Sequence, residues 1–141
     1  MREIKFRARH KITREWFYSS SLWRSFDDTT SNYELPLSTF WQQVEKGWLD
    51  PKTVGQYTDN KDKNGNEIYE GGITKRVYDF TKGGKPKTTV EQIIYYELFA
   101  GFAFMEKCKS GIGYSRLYGG HKVFPFEVIG DIYENPELLD K

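Results

Sequence analysis

Cysteine is almost missing from this sequence, and the other residue types that usually carry chemistry are few. Cys108 stands alone, so no intramolecular disulfide can form, and a reducing compartment, the cytoplasm, is the default. His10 and His121 are the only histidines. With one cysteine they cannot close a zinc site without carboxylate help, and no spacing joins them. Long apolar runs are missing too. The longest, Leu98 to Met105, falls far short of the roughly 20 residues that span a bilayer. The basic N-terminus has no apolar segment of secretory type behind it, so neither a signal peptide nor a membrane partner is expected. Glycine pairs occur at Gly71-Gly72 and Gly83-Gly84, but without the strand-then-helix setting and further glycines that cradle phosphates. Nor does one sign of charge dominate. The 21 basic and 20 acidic side chains leave a formal charge of +1, which argues against strong global attraction to nucleic acid and still permits a local patch.

What is abundant is aromatic. Ten Phe, ten Tyr and four Trp supply 17% of the residues, and rings of that size let a hydrophobic fraction of 38% fill a core. The length of 141 residues fits one domain. Ile4, Phe6 and Ala8 alternate with Lys5, Arg7, Arg9 and Lys11, which reads as a half-buried strand with a basic outer face. Residues 19 to 34 cluster Ser, Thr, Asp and Asn around Leu22, Trp23 and Phe26, as an irregular loop anchored by aromatics would. One short helix is expected near residues 39 to 47. Thr39 and Gln42 have capping-box spacing, Phe40, Trp41 and Val44 form an apolar stripe, and Gly47 can end it.

Beyond Asp50-Pro51 the pattern turns to strands, at 54–58, 67–70, 73–81, 88–96, 101–108 and 124–133. The last places Phe124, Phe126, Val128 and Ile132 on one face. Asn64-Gly65 predicts a tight hairpin with a type I′ turn, which needs two residues tolerant of positive φ. Residues 88 to 107 would also suit a buried helix, but β-branched and aromatic enrichment around Gly101 favours two strands. The expected fold is mainly β: a small SH3-like β-barrel or open barrel at 54–141, with one short helix. An irregular N-terminal region of strand, loop and helix at 1–53 joins it as an appendage of the same single domain.

Candidate sites are weak. Asn60, Asp62 and Asn64 before Gly65 mimic the start of an EF-hand loop, yet the position that should hold a bidentate carboxylate is Gly71. A hairpin turn is the better reading. Cys108 lies between Lys107 and Lys109, which favour a thiolate, but a packed, inert cysteine near a strand end is favoured over a reactive one. Glu67, Glu70, Asp131 and Glu134 could supply paired carboxylates, with nothing to fix a pair at acid–base separation. No catalytic constellation, cofactor site or metal site is expected. The best binding surface is Lys5, Arg7, Arg9 and Lys11 with Trp16 and Tyr18, because cations track phosphates while rings stack on bases. The blander reading is a solvated strand face whose charges meet the acidic Glu127, Asp131, Glu134, Glu137 and Asp140, and it is favoured.

Three blocks together are more specific. Met1-Arg2-Glu3-Ile4-Lys5-Phe6-Arg7-Ala8 opens the chain. Gln56-Tyr57-Thr58 precedes Lys61-Asp62-Lys63-Asn64-Gly65-Asn66-Glu67-Ile68-Tyr69-Glu70-Gly71 in the middle. Val128-Ile129-Gly130-Asp131-Ile132-Tyr133-Glu134-Asn135-Pro136-Glu137-Leu138-Leu139 comes near the end. Their order and spacing resemble the YopX family, small proteins encoded by bacteriophages and prophages, across the whole chain and most loosely from about 10 to 50. Two departures stand out. The family usually reads Thr-Gly-Leu where this chain has Thr58-Asp59-Asn60, and an acidic residue where it has Gly72. The resemblance implies a β-barrel-like fold, a bacterial cytoplasm and a phage-related role. It carries over no catalytic residue, because the family has no assigned activity.

These readings lead to a non-enzymatic phage accessory protein that binds a macromolecule, a host or phage protein ahead of nucleic acid, since abundant aromatics favour interfaces. Single-stranded nucleic acid bound along the basic N-terminal strand is the alternative. Segments 73 to 81 and 88 to 96 are the expected open sheet edge, with Val77, Tyr78, Phe80, Ile93, Ile94, Tyr95 and Tyr96. Such an edge makes a homo-oligomer the usual outcome.

Overall fold

The alternation at the N-terminus becomes a strand with one wet and one dry face. The computed structural model describes residues 4–20, 34–78, 87–108, 110–117 and 126–140, and the chain divides into two units, Met1–Tyr57 and Thr58–Lys141. In the first unit β1 (Phe6–Arg9) lies antiparallel to β2 (Trp16–Ser20), with Ala8 opposite Phe17, and β2 runs parallel to β3 (Glu34–Pro36). The start of β4 (Gly55–Lys61) pairs on the other side of β1, with Phe6 opposite Gln56. Ala8, Phe40 and Leu49 form the buried core, and Phe6, Phe17, Leu35, Val44 and Val54 pack against it.

Two expectations fail in this unit. Residues 16–20 form a strand that the sequence did not signal, and Ser19, Ser20 and Glu34 belong to strands rather than to an irregular loop. Ser19 is fully buried despite its hydroxyl because its Oγ accepts the Phe6 N–H at 2.8 Å. The rest of that loop, with Leu22, Trp23 and Phe26, lies outside the described residues. The helix α1 spans Leu37–Glu45 and begins earlier than Thr39. Its N-cap is Pro36, at φ −53° and ψ 147°, with no side-chain cap, so the Thr39–Gln42 box is not used. The fixed φ of proline sets the chain's entry instead. The other end is as expected. Gly47 takes φ +80°, its N–H donates to Val44 O, and Trp48 N–H reaches back to Gln43 O. That is the Schellman closure which only a left-handed residue completes.

In the second unit, β4 and β5 (Glu67–Tyr69) make the expected hairpin, and Thr58 Oγ1 donates to Ile68 O at 2.8 Å. The turn type is different. Asp62 N–H donates to Asn66 O and Gly65 N–H to Asp62 O, and within the loop only Gly65 has positive φ, at +84°. This is a three-residue loop closed by one left-handed glycine, not a type I′ turn. The Asp62 carboxylate makes the difference, since its Oδ1 accepts the N–H groups of both Asn64 and Asn66.

The main sheet runs β10-β6-β7-β8-β9. Its strands are β6 (Gly72–Tyr78), β7 (Lys87–Tyr96), β8 (Gly101–Cys108), β9 (Gly111–Arg116) and β10 (Phe126–Asp131), all antiparallel to their neighbours. Residues 88 to 107 are therefore two strands, joined by the single turn Glu97–Phe99 and by Ala100 at φ +49°. Ile68, Ile93, Phe104 and Phe126 are buried together, with Leu117 and Val128 against them. The register shifts between Val128 and Gly130, so Ile132 falls in the turn after β10 and does not extend the Phe126–Val128 face. Phe124 lies outside the described residues.

Among the described residues the mainly β class with one helix is found, whereas a closed barrel is not, and the expected open edge is corrected. Among the described residues the strands form open sheets and no closed barrel, because β9 and β10, the two ends of the main sheet, do not pair. The segments expected as the edge are interior. β6 has β10 and β7 as neighbours, and β7 has β6 and β8. Phe80 is not among the described residues. No described helix is long and apolar enough to cross a membrane.

Candidate binding surface

The basic N-terminal row reaches the surface only in part. Register places Arg7 opposite Tyr18 and Arg9 opposite Trp16, so these four side chains share the outer face of β1 and β2. The Arg7 guanidinium lies 4.2 Å from the centre of the Trp16 ring and that of Arg9 5.9 Å from it. Lys5 Nζ sits 5.7 Å from the Tyr57 ring, which is itself buried. Lys11 leaves the row. The strand ends at Arg9, Lys11 N–H donates to Trp48 O, and its ammonium lies beside Gly47 at the C-terminus of α1, where a cation meets the negative end of the helix dipole. His10 is structural: its Nδ1 accepts the N–H groups of Ile12 and Thr13, both at 3.2 Å, and closes the turn. Arg7, Arg9, Trp16 and Tyr18 share one face. The sequence pattern did not show that a cation already covers the Trp16 ring, which would stack on a base.

A second surface, which the sequence reading missed, lies on the second unit. The Tyr96 and Tyr114 rings stack with centroids 4.0 Å apart and planes within 6°. They meet on the face of β8 that carries Gly101, Ala103 and Met105, with Tyr96 opposite Gly101 and Tyr114 opposite Met105, and the small Gly101 and Ala103 leave the rings room to meet across the strand. Phe99 packs edge-on against Tyr96, and the Arg116 guanidinium lies 4.7 Å from the Phe99 ring. Around them Leu98, Ile112 and Tyr114 are exposed, Leu98 at 80%, whereas Tyr95 points to the opposite face and packs edge-on against Phe102. Every residue of β9 is exposed. The signal was present as the alternation of Ile112, Tyr114 and Arg116, in a stretch where the sequence reading placed no strand.

Several of the remaining candidates hold hydrogen bonds within the fold. Asp62 is 5% exposed and accepts from Asn64 N, Asn66 N, Asn66 Nδ2 and, across to β10, Val128 N at 2.9 Å. Burial alone would raise its pKa; the hydrogen bonds from Val128, Asn66 and Asn64 outweigh it, and the pKa is lowered from 3.8. Its oxygens organise a hairpin, as the turn reading of the EF-hand-like run expected. Asp131 Oδ1 accepts from Tyr133 N and Glu134 N, while Glu67 Oε1 accepts from the Tyr69 hydroxyl. Gly71 links the middle and last sequence blocks: its N–H donates to Ile93 O and its carbonyl accepts from Ile132 N. Gly72 faces Asp131 in register. Cys108 ends β8, and His121 lies outside the described residues. Among those described, no cluster of three His, Cys, Asp or Glu side chains is placed to hold a metal ion.

One acid is buried where no sequence pattern pointed. Glu91 is 1% exposed and takes a bidentate pair of bonds from Arg76, at 2.7 Å and 2.5 Å. Thr89 Oγ1 donates to Glu91 as well, Arg76 also donates to Ser115 Oγ, and the guanidinium lies 4.1 Å from the Phe104 ring.

No curated protein matches the chain. It is similar to a crystal structure of protein EF1440 from Enterococcus faecalis, at 24% identity and a TM-score of 0.45, over 97% of this chain and 98% of that one. The family model described as YopX protein matches residues 5–140, and the chain belongs to the YopX family.

Proposed function

We propose that this protein is a non-enzymatic binding module, a phage or prophage accessory protein of the bacterial cytoplasm, and that its partner is a protein. The observation that carries the reading is the aromatic cluster of Tyr96, Phe99 and Tyr114, with Leu98 and Ile112 exposed beside it. Rigid rings with apolar neighbours are what protein interfaces bury at their centres. A second reading, single-stranded nucleic acid on the first unit, draws on Arg7 and Arg9 converging on Trp16. It is weaker because a ring already covered by a guanidinium offers one face fewer for a base.

Affinity capture from phage-infected bacterial cells tests both. The wild-type protein and an Arg7→Glu/Arg9→Glu variant should retain the same protein, and a Leu98→Asp/Ile112→Asp variant should lose it. Retention of nucleic acid instead, released by salt and abolished only by the arginine changes, overturns the protein reading. Retention of neither overturns binding altogether.

A further inference from the structure

The exposed strand β9 ends the main sheet, with β8 on one side and, among the described residues, no strand on the other. An edge of this kind presents unpaired N–H and C=O groups, and natural sheets usually blunt it with proline, a bulge or inward charge. β9, Gly-Ile-Gly-Tyr-Ser-Arg, has no proline, and its register with β8 runs unbroken from Cys108–Gly111 to Ala103–Arg116. It has no acidic residue either. Ile112, Tyr114 and Arg116 alternate on one face, opposite Lys107, Met105 and Ala103 of β8, and Lys107 and Arg116 are both exposed. The other face carries only Gly111, Gly113 and Ser115, which leaves room for a partner's side chains.

We propose, resting on the protein-binding reading above, that β9 binds an extended peptide strand of the partner, added antiparallel to the sheet. Antiparallel addition continues the pattern of all five strands and is the stronger pairing per residue. Register and charge then define the occupant. Read from its N-terminus, the partner strand places an acid opposite Arg116, an aromatic or large apolar residue opposite Tyr114, and an aliphatic one opposite Ile112. Its recognition pattern is acid–x–aromatic–x–aliphatic. A second copy of this chain fits less well, since antiparallel self-pairing of β9 offers no acid to either Arg116.

The probe is a synthetic peptide, Thr-Glu-Thr-Tyr-Thr-Val-Thr, beside a twin with Lys in place of Glu. Binding is followed by fluorescence anisotropy and by amide exchange of Gly111–Arg116 in heteronuclear NMR. The acidic peptide should bind at least about tenfold more tightly than its twin and slow exchange along β9, and Arg116→Glu, a change at an exposed position, should reverse the preference. Equal binding of both peptides, or no change at β9 up to about millimolar peptide, overturns the proposal. So does a concentration-dependent dimer whose β9 amides are protected without peptide. If the peptides fail while Leu98→Asp/Ile112→Asp still releases the captured protein, strand addition falls and protein binding stands. If that variant releases nothing, both fall.

Discussion

The two units keep their charges in opposite places. In the first, Arg7 and Arg9 stand on the outer face of β1 and the core is Ala8, Phe40 and Leu49. In the second, Arg76, Glu91 and Asp62 are themselves buried, beside a core of Ile68, Ile93, Phe104 and Phe126. A cation resting on a partly exposed ring such as Trp16 contributes about 0.5–1 kcal/mol. A buried pair contributes little net, but removing one member strands the other, at about 3–5 kcal/mol. The charge that decides stability is therefore the hidden one, and the partly visible basic row contributes less.

The largest expected effect tests that contrast directly. Glu91→Ala should destabilise the protein by about 3–5 kcal/mol, because the Arg76 guanidinium loses its bidentate partner in a buried place. Arg76→Met together with Glu91→Leu should recover most of the loss. Urea unfolding measures both, and a loss under about 1 kcal/mol for Glu91→Ala would end the contrast between the units.

Next comes Asp62, where the partners are mainly main-chain N–H groups. Asp62→Ala should cost about 1–3 kcal/mol, since the Val128 N–H loses its acceptor and the loop loses its organiser. The pH dependence has a definite sign. The folded pKa is depressed, so this contribution is complete above the unfolded value, near 3.8, and is lost as pH falls through the lower folded one. Asp62→Asn should flatten the acid limb of the stability curve below about pH 4; an unchanged limb would show that another carboxylate governs it.

Asp59 sharpens the comparison from the backbone. It sits in β4 at φ +66°, a backbone conformation that favours glycine. Asp59→Ala and Asp59→Gly both delete the side-chain interactions, but only glycine relieves the left-handed strain. The glycine variant should be the more stable by about 1 kcal/mol, read as a difference in denaturant midpoint. The smallest effect belongs to the visible row. Arg7→Ala should cost less than about 1 kcal/mol and show itself mainly as a change in tryptophan emission as the Trp16 face is uncovered. A larger cost would mean that Arg7 acts as a core residue.

Much of this was legible in the amino-acid sequence because it depends on neighbours in the chain. Period-two alternation placed Phe6 and Ala8 inward and Arg7 and Arg9 outward; Gly47 announced the helix end; β-branched and aromatic enrichment made two strands of residues 88 to 107. These depend on side-chain periodicity and on φ, which the local sequence determines. What only the tertiary structure decided involves groups far apart in sequence. Glu91 became a buried acid because β6 brings Arg76 to it, and Asp62 chose the turn type while reaching Val128 on β10. Among the described residues, the strand order made β6 and β7 interior and left β9 at the edge. A single strand's pattern cannot reveal its neighbour, because pairing is set by which distant segments satisfy its hydrogen bonds and charges, and that is settled only when the whole sheet is assembled.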